Sequence, residues 1–92
     1  MKYYLEKEFK LLKKCRSRQE RKAMIFNIFN ALTCLHYPPT REWVFINANE
    51  TFRIRPMNRA WTCFRIENRD GWIGTGNMED IRIMFSIAGF LD

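Results

Sequence analysis

Several residue types on which catalytic and metal sites depend are scarce in this sequence. It has one histidine, His36, and three widely spaced cysteines, Cys15, Cys34 and Cys63, with no CxxC pair. A zinc site needs four ligands, and the spacing of these residues matches no zinc motif. No GxSxG elbow or HExxH helix is present. We therefore expect a protein that is not an enzyme and that holds no metal and no cofactor.

The sequence also lacks a long apolar run. No apolar stretch approaches the ~20 residues of a membrane span, and the charged first residues do not form the apolar segment of a secretory signal peptide. An odd number of cysteines fits a reducing compartment, in which Cys34 and Cys63 are expected to be small buried apolar side chains. We expect a cytoplasmic protein without membrane contact.

Glycine is also scarce, and the four glycines cluster mostly in residues 71–77, GWIGTGN. A glycine-rich turn that opens a helix can bind phosphate through its backbone amides. This segment lacks the Lys-Ser/Thr of a P-loop, and two acids, Glu79 and Asp80, follow it directly. We interpret it as a hinge or turn rather than a phosphate loop.

What the sequence does contain is enough apolar surface for one core, together with a localised positive charge. Of its 92 residues 47% are hydrophobic, so one domain, residues 1–92, is expected, made of a basic N-terminal helix (1–16) and a compact helix–sheet–helix core (17–92). The net charge is +6. Residues 1–22 hold nine basic and three acidic residues, whereas residues 23–92 hold seven of each. This uneven charge suits a polyanion or an acidic protein surface, or simply a solvated helix face.

Helical spacing of apolar residues predicts two helices before any strand. The first spans residues 2–14. Ser17 and Glu20 match a capping box, so a second helix is expected to start at Arg18. We predict that this helix runs to about Leu35, because the Tyr-Pro-Pro sequence that follows is incompatible with a continued helix.

Alternating polar and apolar residues then predict an antiparallel sheet of three or four strands. The strands are expected at residues 42–47, 51–55 and 60–66, with a short fourth strand at Trp72 and Ile73. Asn77 is expected to cap a last helix, and a strand over residues 81–87 is the competing interpretation. The predicted fold class is α+β, with two N-terminal helices and a C-terminal helix on one face of the sheet (αα-βββ-α).

Two groups of residues favour nucleic-acid binding. The first is a basic cluster that would neutralise phosphates, formed by Lys10, Lys13, Lys14, Arg16, Arg18, Arg21 and Lys22. The second is the polar face of the sheet, with Arg53, Arg55, Arg65 and Trp61. Arginine beside an exposed aromatic ring is a stacking platform for unpaired bases, worth ~1–3 kcal/mol per base. If Trp61 instead packs beneath the N-terminal helix, Arg53 and Arg55 are ordinary strand charges.

From Arg18 onward the predicted order of helix, three strands and helix is similar to that of the double-stranded-RNA-binding domain. That family opens its last helix with basic residues, whereas Met78, Glu79 and Asp80 stand here. The order of elements alone does not establish a function. We therefore do not assign the chain to that family.

The predicted function is a small basic binding protein whose partner is RNA or single-stranded DNA. The alternative is a protein-interaction module or inhibitor, an accessory protein of viral or plasmid type, that docks on an acidic partner. Its expected anchors are Trp43, Trp61, Trp72, Met57 and Met78. The N-terminal helix also offers a face for a second copy, so a homodimer is an alternative to a monomer.

Overall fold

A computed structural model describes residues 5–32 and 34–91, without the side chain of Cys34. This part of the chain forms three helices, α1 (Glu6–Lys13), α2 (Arg18–Ala31) and α3 (Met78–Ala88). It also forms five strands, β1 (Cys34–Tyr37), β2 (Glu42–Ile46), β3 (Thr51–Pro56), β4 (Phe64–Asn68) and β5 (Ile73–Gly76). The predicted α+β class is confirmed, with two helices before the sheet and one after it.

Side-chain caps determine where two of the helices begin. Ser17 Oγ accepts a hydrogen bond from the Glu20 amide at 3.1 Å, so α2 begins at the predicted residue. Before α3, Asn77 Oδ1 accepts from the Asp80 amide and Asp80 Oδ2 accepts from the Asn77 amide, both at 2.9 Å. These caps satisfy amides that a helix start leaves unpaired. The last helix is thereby confirmed over the competing strand.

The predicted first helix is present as α1, and residues 2–4 of that prediction lie outside the described part of the chain. The break before Ser17 is also present, because α1 ends at Lys13 and α2 begins at Arg18. Arg21 Nη2 donates a hydrogen bond to the Cys15 carbonyl oxygen at 3.3 Å, which fastens α2 to the bend.

The five strands form an antiparallel meander in which each strand pairs with its neighbour in sequence. The register places Val44, Arg53 and Glu67 side by side, and Arg55 opposite Arg65. Because successive side chains of a strand point to opposite faces, these residues share one face of the sheet. The helices pack on the other face.

Residues 34–37 form strand β1, where we predicted the end of the second helix, and α2 already ends at Ala31. β1 pairs with β2 along its whole length. The ring of His36 stacks on Trp43, with 3.9 Å between ring centroids. These cross-strand contacts outweigh the weak helical preference of a Leu-His-Tyr sequence before two prolines. The sheet therefore has five strands rather than three or four.

The predicted third strand, residues 60–66, was placed too early, because β4 begins at Phe64. The Met57 amide donates to the Cys63 carbonyl oxygen at 2.8 Å and closes a loop. Inside this loop Asn58 Oδ1 accepts from the amides of Thr62 and Cys63 at 3.0 and 3.3 Å. Residues 60–63 are thus held by their own loop and not by a neighbouring strand.

An aromatic core lies between the helices and the sheet. The ring of Phe29 from α2 lies 5.3 Å from Trp43 and 5.0 Å from Phe45, and Phe85 from α3 lies 4.9 Å from Phe45. Contacts of this kind add to the gain from apolar burial. Across the described residues, no helix has both the length and the apolar character needed to cross a membrane.

Candidate nucleic-acid interface

The face of the sheet that points away from the helices carries three of the predicted site arginines. Arg53 and Arg55 alternate with core residues along β3, and Arg65 stands opposite Arg55 on β4. Arg53 Nε lies 3.2 Å from Glu42 Oε1, and Arg65 Nη1 lies 3.7 Å from Glu67 Oε2. Two of the three guanidinium groups therefore already face a carboxylate, which lowers the positive potential of this face.

Trp61 does not share that face, which corrects the predicted arginine–tryptophan platform. Its side chain is 6% exposed. Its ring centroid lies 5.5 Å from that of Phe26 and 6.2 Å from that of Phe64. Trp61 belongs to the loop before β4, so the alternation of a strand does not govern its direction. The alternative interpretation, a buried Trp61, is the one confirmed.

The first part of the N-terminal basic cluster lies beside acids. Lys10 and Lys13 line a shallow cavity of about 180 Å³ together with Glu6 and Glu79. Lys13 Nζ is 3.9 Å from Glu79 Oε2. The pKa of Glu79 lies below its ordinary value of 4.5, mainly because Arg82 donates a hydrogen bond to the carboxylate. The positive charges of Arg82 and Lys13 lower this pKa further. This carboxylate is therefore negative at neutral pH and offsets part of the charge of α1.

The middle of the basic cluster spans the bend between α1 and α2. Lys14 and Arg16 are exposed there. Arg21 is half-buried and lines a cavity of about 360 Å³ with Lys13, Trp61 and Glu79. Since a carboxylate also lines that cavity, it is a less favourable place for a phosphate than a cavity lined by cations alone.

The last part of the basic cluster, Arg18 and Lys22, lies in a cavity of about 580 Å³, which we call the basic groove. The residues that line the basic groove are Arg18, Lys22, Phe26, His36, Pro38, Arg41, Arg59 and Trp61. Four of them are cationic, and no carboxylate occurs among the described residues that line the groove. Within residues 5–32 and 34–91, none of the four cations takes part in an ion pair.

Aromatic rings form the inner wall of the basic groove. His36 is stacked on Trp43 with an interplanar angle of 9°, and its ring meets Phe26 edge-on at 5.5 Å. Lys22 Nζ lies 5.7 Å from the ring centroids of both Phe26 and Trp61. This cation–π geometry holds the ammonium group over the rings. His36 and Phe26 remain half-buried, so part of each ring is accessible from the groove.

Strand connectivity explains why residues distant in sequence meet in the basic groove. In an antiparallel meander, the turn after the first strand and the turn after the third lie at the same end of the sheet. The β1–β2 turn carries Arg41 and the β3–β4 loop carries Arg59. Both turns border the groove, and the first turns of α2 add Arg18 and Lys22.

Two residues of the basic groove have left-handed backbone conformations. The φ angle is 56° at Arg41 and 57° at Trp61. The Arg41 amide donates to the Pro38 carbonyl oxygen at 3.2 Å, and the Trp61 amide donates to the Asn58 carbonyl oxygen at 3.4 Å. A side chain with a Cβ adopts this conformation at a cost of ~1–2 kcal/mol, and such residues concentrate at functional sites.

The structure thus brings together only part of the predicted site and adds residues that were not predicted. Arg18, Lys22 and Trp61 meet in the basic groove, whereas the arginines of the open sheet face lie elsewhere. Arg41 and Arg59 were missed because each is a single arginine in a turn, without a local pattern. The missed strand β1 also hid the fact that their two turns lie at one end of the sheet.

The helix start beside the glycine-rich segment is occupied by its own capping box. The amides of Asn77 and Asp80 are both used in the capping box, and the Asp80 carboxylate lies at the same point. Residues Ile73–Gly76 of the glycine-rich segment form strand β5 rather than the predicted hinge or turn. Gly74 lies under the indole of Trp72, and a Cβ there would clash with the Trp72 ring.

Other candidate centres are few in the described chain. Among residues 5–32 and 34–91, no group of three or more His, Cys, Asp or Glu is arranged to hold a metal ion. Cys15 and Cys63 are free and half-buried, and the side chain of Cys34 lies outside the described part. Of the expected protein anchors, Trp72 and Met57 are exposed. The buried ones are Trp43, Trp61 and Met78.

Comparisons of the chain with protein-family models, with curated proteins and with solved structures found no match. Function is therefore inferred from the residues of the site and from their geometry.

Proposed function

We propose that this protein binds single-stranded nucleic acid, RNA or DNA, in the basic groove. The observation that carries the proposal is the convergence of four cations on a cavity whose described lining contains no carboxylate. Phosphates would contact Arg18, Arg41 and Arg59, whose guanidinium groups donate in the forked geometry that suits phosphate oxygens. Lys14 and Arg16, which precede Arg18 in the chain, are exposed and would offer two further cations to the strand.

The aromatic wall supports contact with an unpaired base. A cavity of about 580 Å³ lies within the range of ~300–1,000 Å³ that is typical of small-ligand sites, so it has room for a nucleotide. The accessible parts of Phe26 and His36 would contact the base while the cations hold the backbone. A duplex keeps its bases stacked inside the helix, so its bases cannot reach this wall. We therefore expect unpaired strands to bind more tightly than duplexes.

The test is the affinity of the protein for fluorescent oligonucleotides of about 12 nucleotides, a length that covers typical single-strand site sizes. The same sequence is supplied as single-stranded RNA, single-stranded DNA and duplex, and anisotropy is measured between about 50 and 200 mM salt. If each of the four groove cations neutralises one phosphate charge, the plot of log K against log salt should have a slope of about −3, at about −0.7 per neutralised charge of a single strand. Contacts of Lys14 and Arg16 would steepen it.

Two results would contradict the proposal. The absence of binding at the lowest salt would exclude a nucleic-acid partner for the basic groove. Tight binding whose affinity is independent of salt would show that phosphates are not what the cations contact. Charge reversal of Lys14 and Arg18 is expected to weaken binding whatever the sequence of the strand, and an unchanged affinity would remove these two residues from the interface.

A second candidate is an acidic protein surface, with the chain acting as an interaction module or inhibitor. The exposure of Trp72, 52%, and of Ile73, 53%, favours it, because Ile73 begins the edge strand β5 and Trp72 directly precedes it. Exposed tryptophan beside a polar surface is a common anchor of protein interfaces. This candidate would replace the first if no oligonucleotide binds.

A further inference from the structure

The charge of the basic groove exceeds what one internal nucleotide with its two flanking phosphates supplies. Four cations line a space of nucleotide size, and no described lining residue is acidic. Each internal phosphodiester carries a single negative charge, so the two that flank an internal nucleotide would leave about half of the cationic charge uncompensated. A terminal phosphate monoester adds ~1.5–2 negative charges at neutral pH. A terminal phosphate together with the next phosphodiester matches the four cations more closely.

The arrangement of the four cations also suits a compact anion. Arg41 and Arg59 come from two separate turns, and Arg18 and Lys22 come from one helix, so the cations reach the cavity from three different segments. A terminal monoester presents three oxygens to such a set, whereas a phosphodiester presents two. In addition, β1 borders the groove through His36 and contains no lysine or arginine. A nucleic-acid strand that continued along β1 would therefore find no cation there.

We infer that the basic groove binds the phosphorylated end of a nucleic-acid strand. This inference rests on the proposed function and specifies it, because a strand would enter the groove by its terminus. Arg16 and Lys14, which precede Arg18 in the chain and are exposed, would be available to the remainder of the strand. The shared chemistry is a terminal phosphate monoester, at either the 5′ or the 3′ end of the strand.

The experiment compares four oligonucleotides of one sequence, each with an internal fluorophore so that both ends stay free. They carry a 5′ phosphate, a 3′ phosphate, two terminal hydroxyls, or no ends because the strand is circular. Since charge-assisted contacts are individually strong, one phosphorylated end is expected to bind about tenfold more tightly than the strand with two hydroxyls. The circular strand should bind no better than the hydroxyl form.

A groove variant and a matched control locate the effect. Arg41→Gln with Arg59→Gln should reduce the tenfold preference to less than about twofold, since it removes two of the four cations. Arg53→Gln with Arg55→Gln makes the same charge change on the open sheet face and should leave the preference intact. Arg59→Gln alone serves as the second groove variant if circular dichroism shows that the double variant is unfolded.

The outcomes separate this inference from the proposed function. Equal, salt-dependent binding of all four oligonucleotides would overturn end recognition and leave single-strand binding in place. Binding of none of them at low salt would overturn both. A preference that survives the groove variant would show that the terminal phosphate binds elsewhere, and this also contradicts the inference.

Discussion

The position of Trp61 decides between two interpretations of this residue, an exposed stacking platform on the polar sheet face and a buried core side chain. Its side chain is 6% exposed and stands between the basic groove and the neighbouring cavity of about 360 Å³. The ring also lies within 5.7 Å of Lys22 Nζ. Trp61 is therefore a buried residue whose ring positions the ammonium group of Lys22, and it is not an exposed stacking platform.

Replacing Trp61 by alanine is expected to destabilise the domain by about 3–5 kcal/mol, the usual cost of removing a large buried aromatic side chain. For a domain of this size the melting temperature should fall by about 15 °C or more. Thermal unfolding followed by circular dichroism measures the effect. Trp72→Ala is the matched control, because that tryptophan is 52% exposed and its loss should cost much less. Equal losses in the two variants would contradict a buried role for Trp61.

Arg41 combines a groove cation with a left-handed backbone, at φ 56°. Glycine adopts this conformation without the Cβ clash, so Arg41→Gly is expected to be more stable than Arg41→Ala by about 1 kcal/mol. Both variants should lose nucleic-acid affinity to the same extent. Urea unfolding and anisotropy measure the two effects.

The same pair of substitutions at Arg59 provides the control, since Arg59 is not among the described residues with positive φ. There alanine should be the more stable variant by about 0.4–1 kcal/mol, because glycine has more conformational freedom to lose. If alanine were also preferred at position 41, the backbone of Arg41 would not be strained.

At the scale of elements, the caps were predicted more reliably than the strands. The Ser17 and Asn77 caps are local, since each involves residues three positions apart, and both are present. Strand β1 depends on β2, and its stacking contact joins His36 and Trp43 across the sheet. A short segment before two prolines contains little local information about such a partner.

The cap of α3 yields a stability prediction. Asn77→Ala removes one acceptor and leaves the Asp80 amide unpaired, so a loss of about 1 kcal/mol is expected. Asn27→Ala is the matched control, because Asn27 is exposed within α2 and alanine favours a helix. Urea unfolding should show a loss in the first variant and a neutral or positive change in the second. The reverse order would contradict a stabilising cap.

Glu79 links α1 to α3, and its contribution to the stability of the folded protein should depend on pH. Arg82 Nη2 lies 2.6 Å from Glu79 Oε1, and Lys13 Nζ is 3.9 Å from Glu79 Oε2. The pKa of Glu79 is lower in the folded state, mainly through the Arg82 hydrogen bond, so ionisation stabilises the fold. This contribution is complete above the pKa of the unfolded chain and disappears as the pH falls through the folded pKa.

The variant Glu79→Gln should therefore be slightly less stable than the parent protein at pH 7. The difference should decrease below the ordinary pKa of 4.5 and vanish once the pH is below the lowered pKa of the folded protein. Thermal unfolding of both proteins across this range measures it. The effect stays small because the pair is exposed and water screens it. A difference that grew in acid would contradict the sign of the pKa change.

At the scale of the whole molecule, the fold class was predictable from the sequence and the site was predictable only in part. Helical spacing and caps identified the three helices, and alternation identified β2 and β3 closely. The basic groove depends on two turns at one end of a five-stranded sheet, so it was not visible while β1 was interpreted as helix. Arg18 and Lys22 were found by their charge, whereas Arg41 and Arg59 required the topology.

The distribution of charge also changes when it is considered on the folded chain. In sequence, all the excess charge lies in residues 1–22. In the structure Lys13 faces Glu79, while two arginines from the electrically balanced remainder join Arg18 and Lys22. Charges that are uncompensated in space matter more for binding than charges that are close in sequence.

The most direct measurement of binding in the basic groove is the salt dependence of single-stranded RNA affinity for two matched variants. Arg41→Gln with Arg59→Gln removes two groove cations, and Arg53→Gln with Arg55→Gln removes two from the open sheet face. Groove binding predicts that the first variant flattens the slope of log K against log salt by about 1.4, at about 0.7 per lost contact. The second variant should keep the slope of the parent protein. If only the second variant flattened the slope, the nucleic acid would lie on the open sheet face, and binding in the groove would be contradicted.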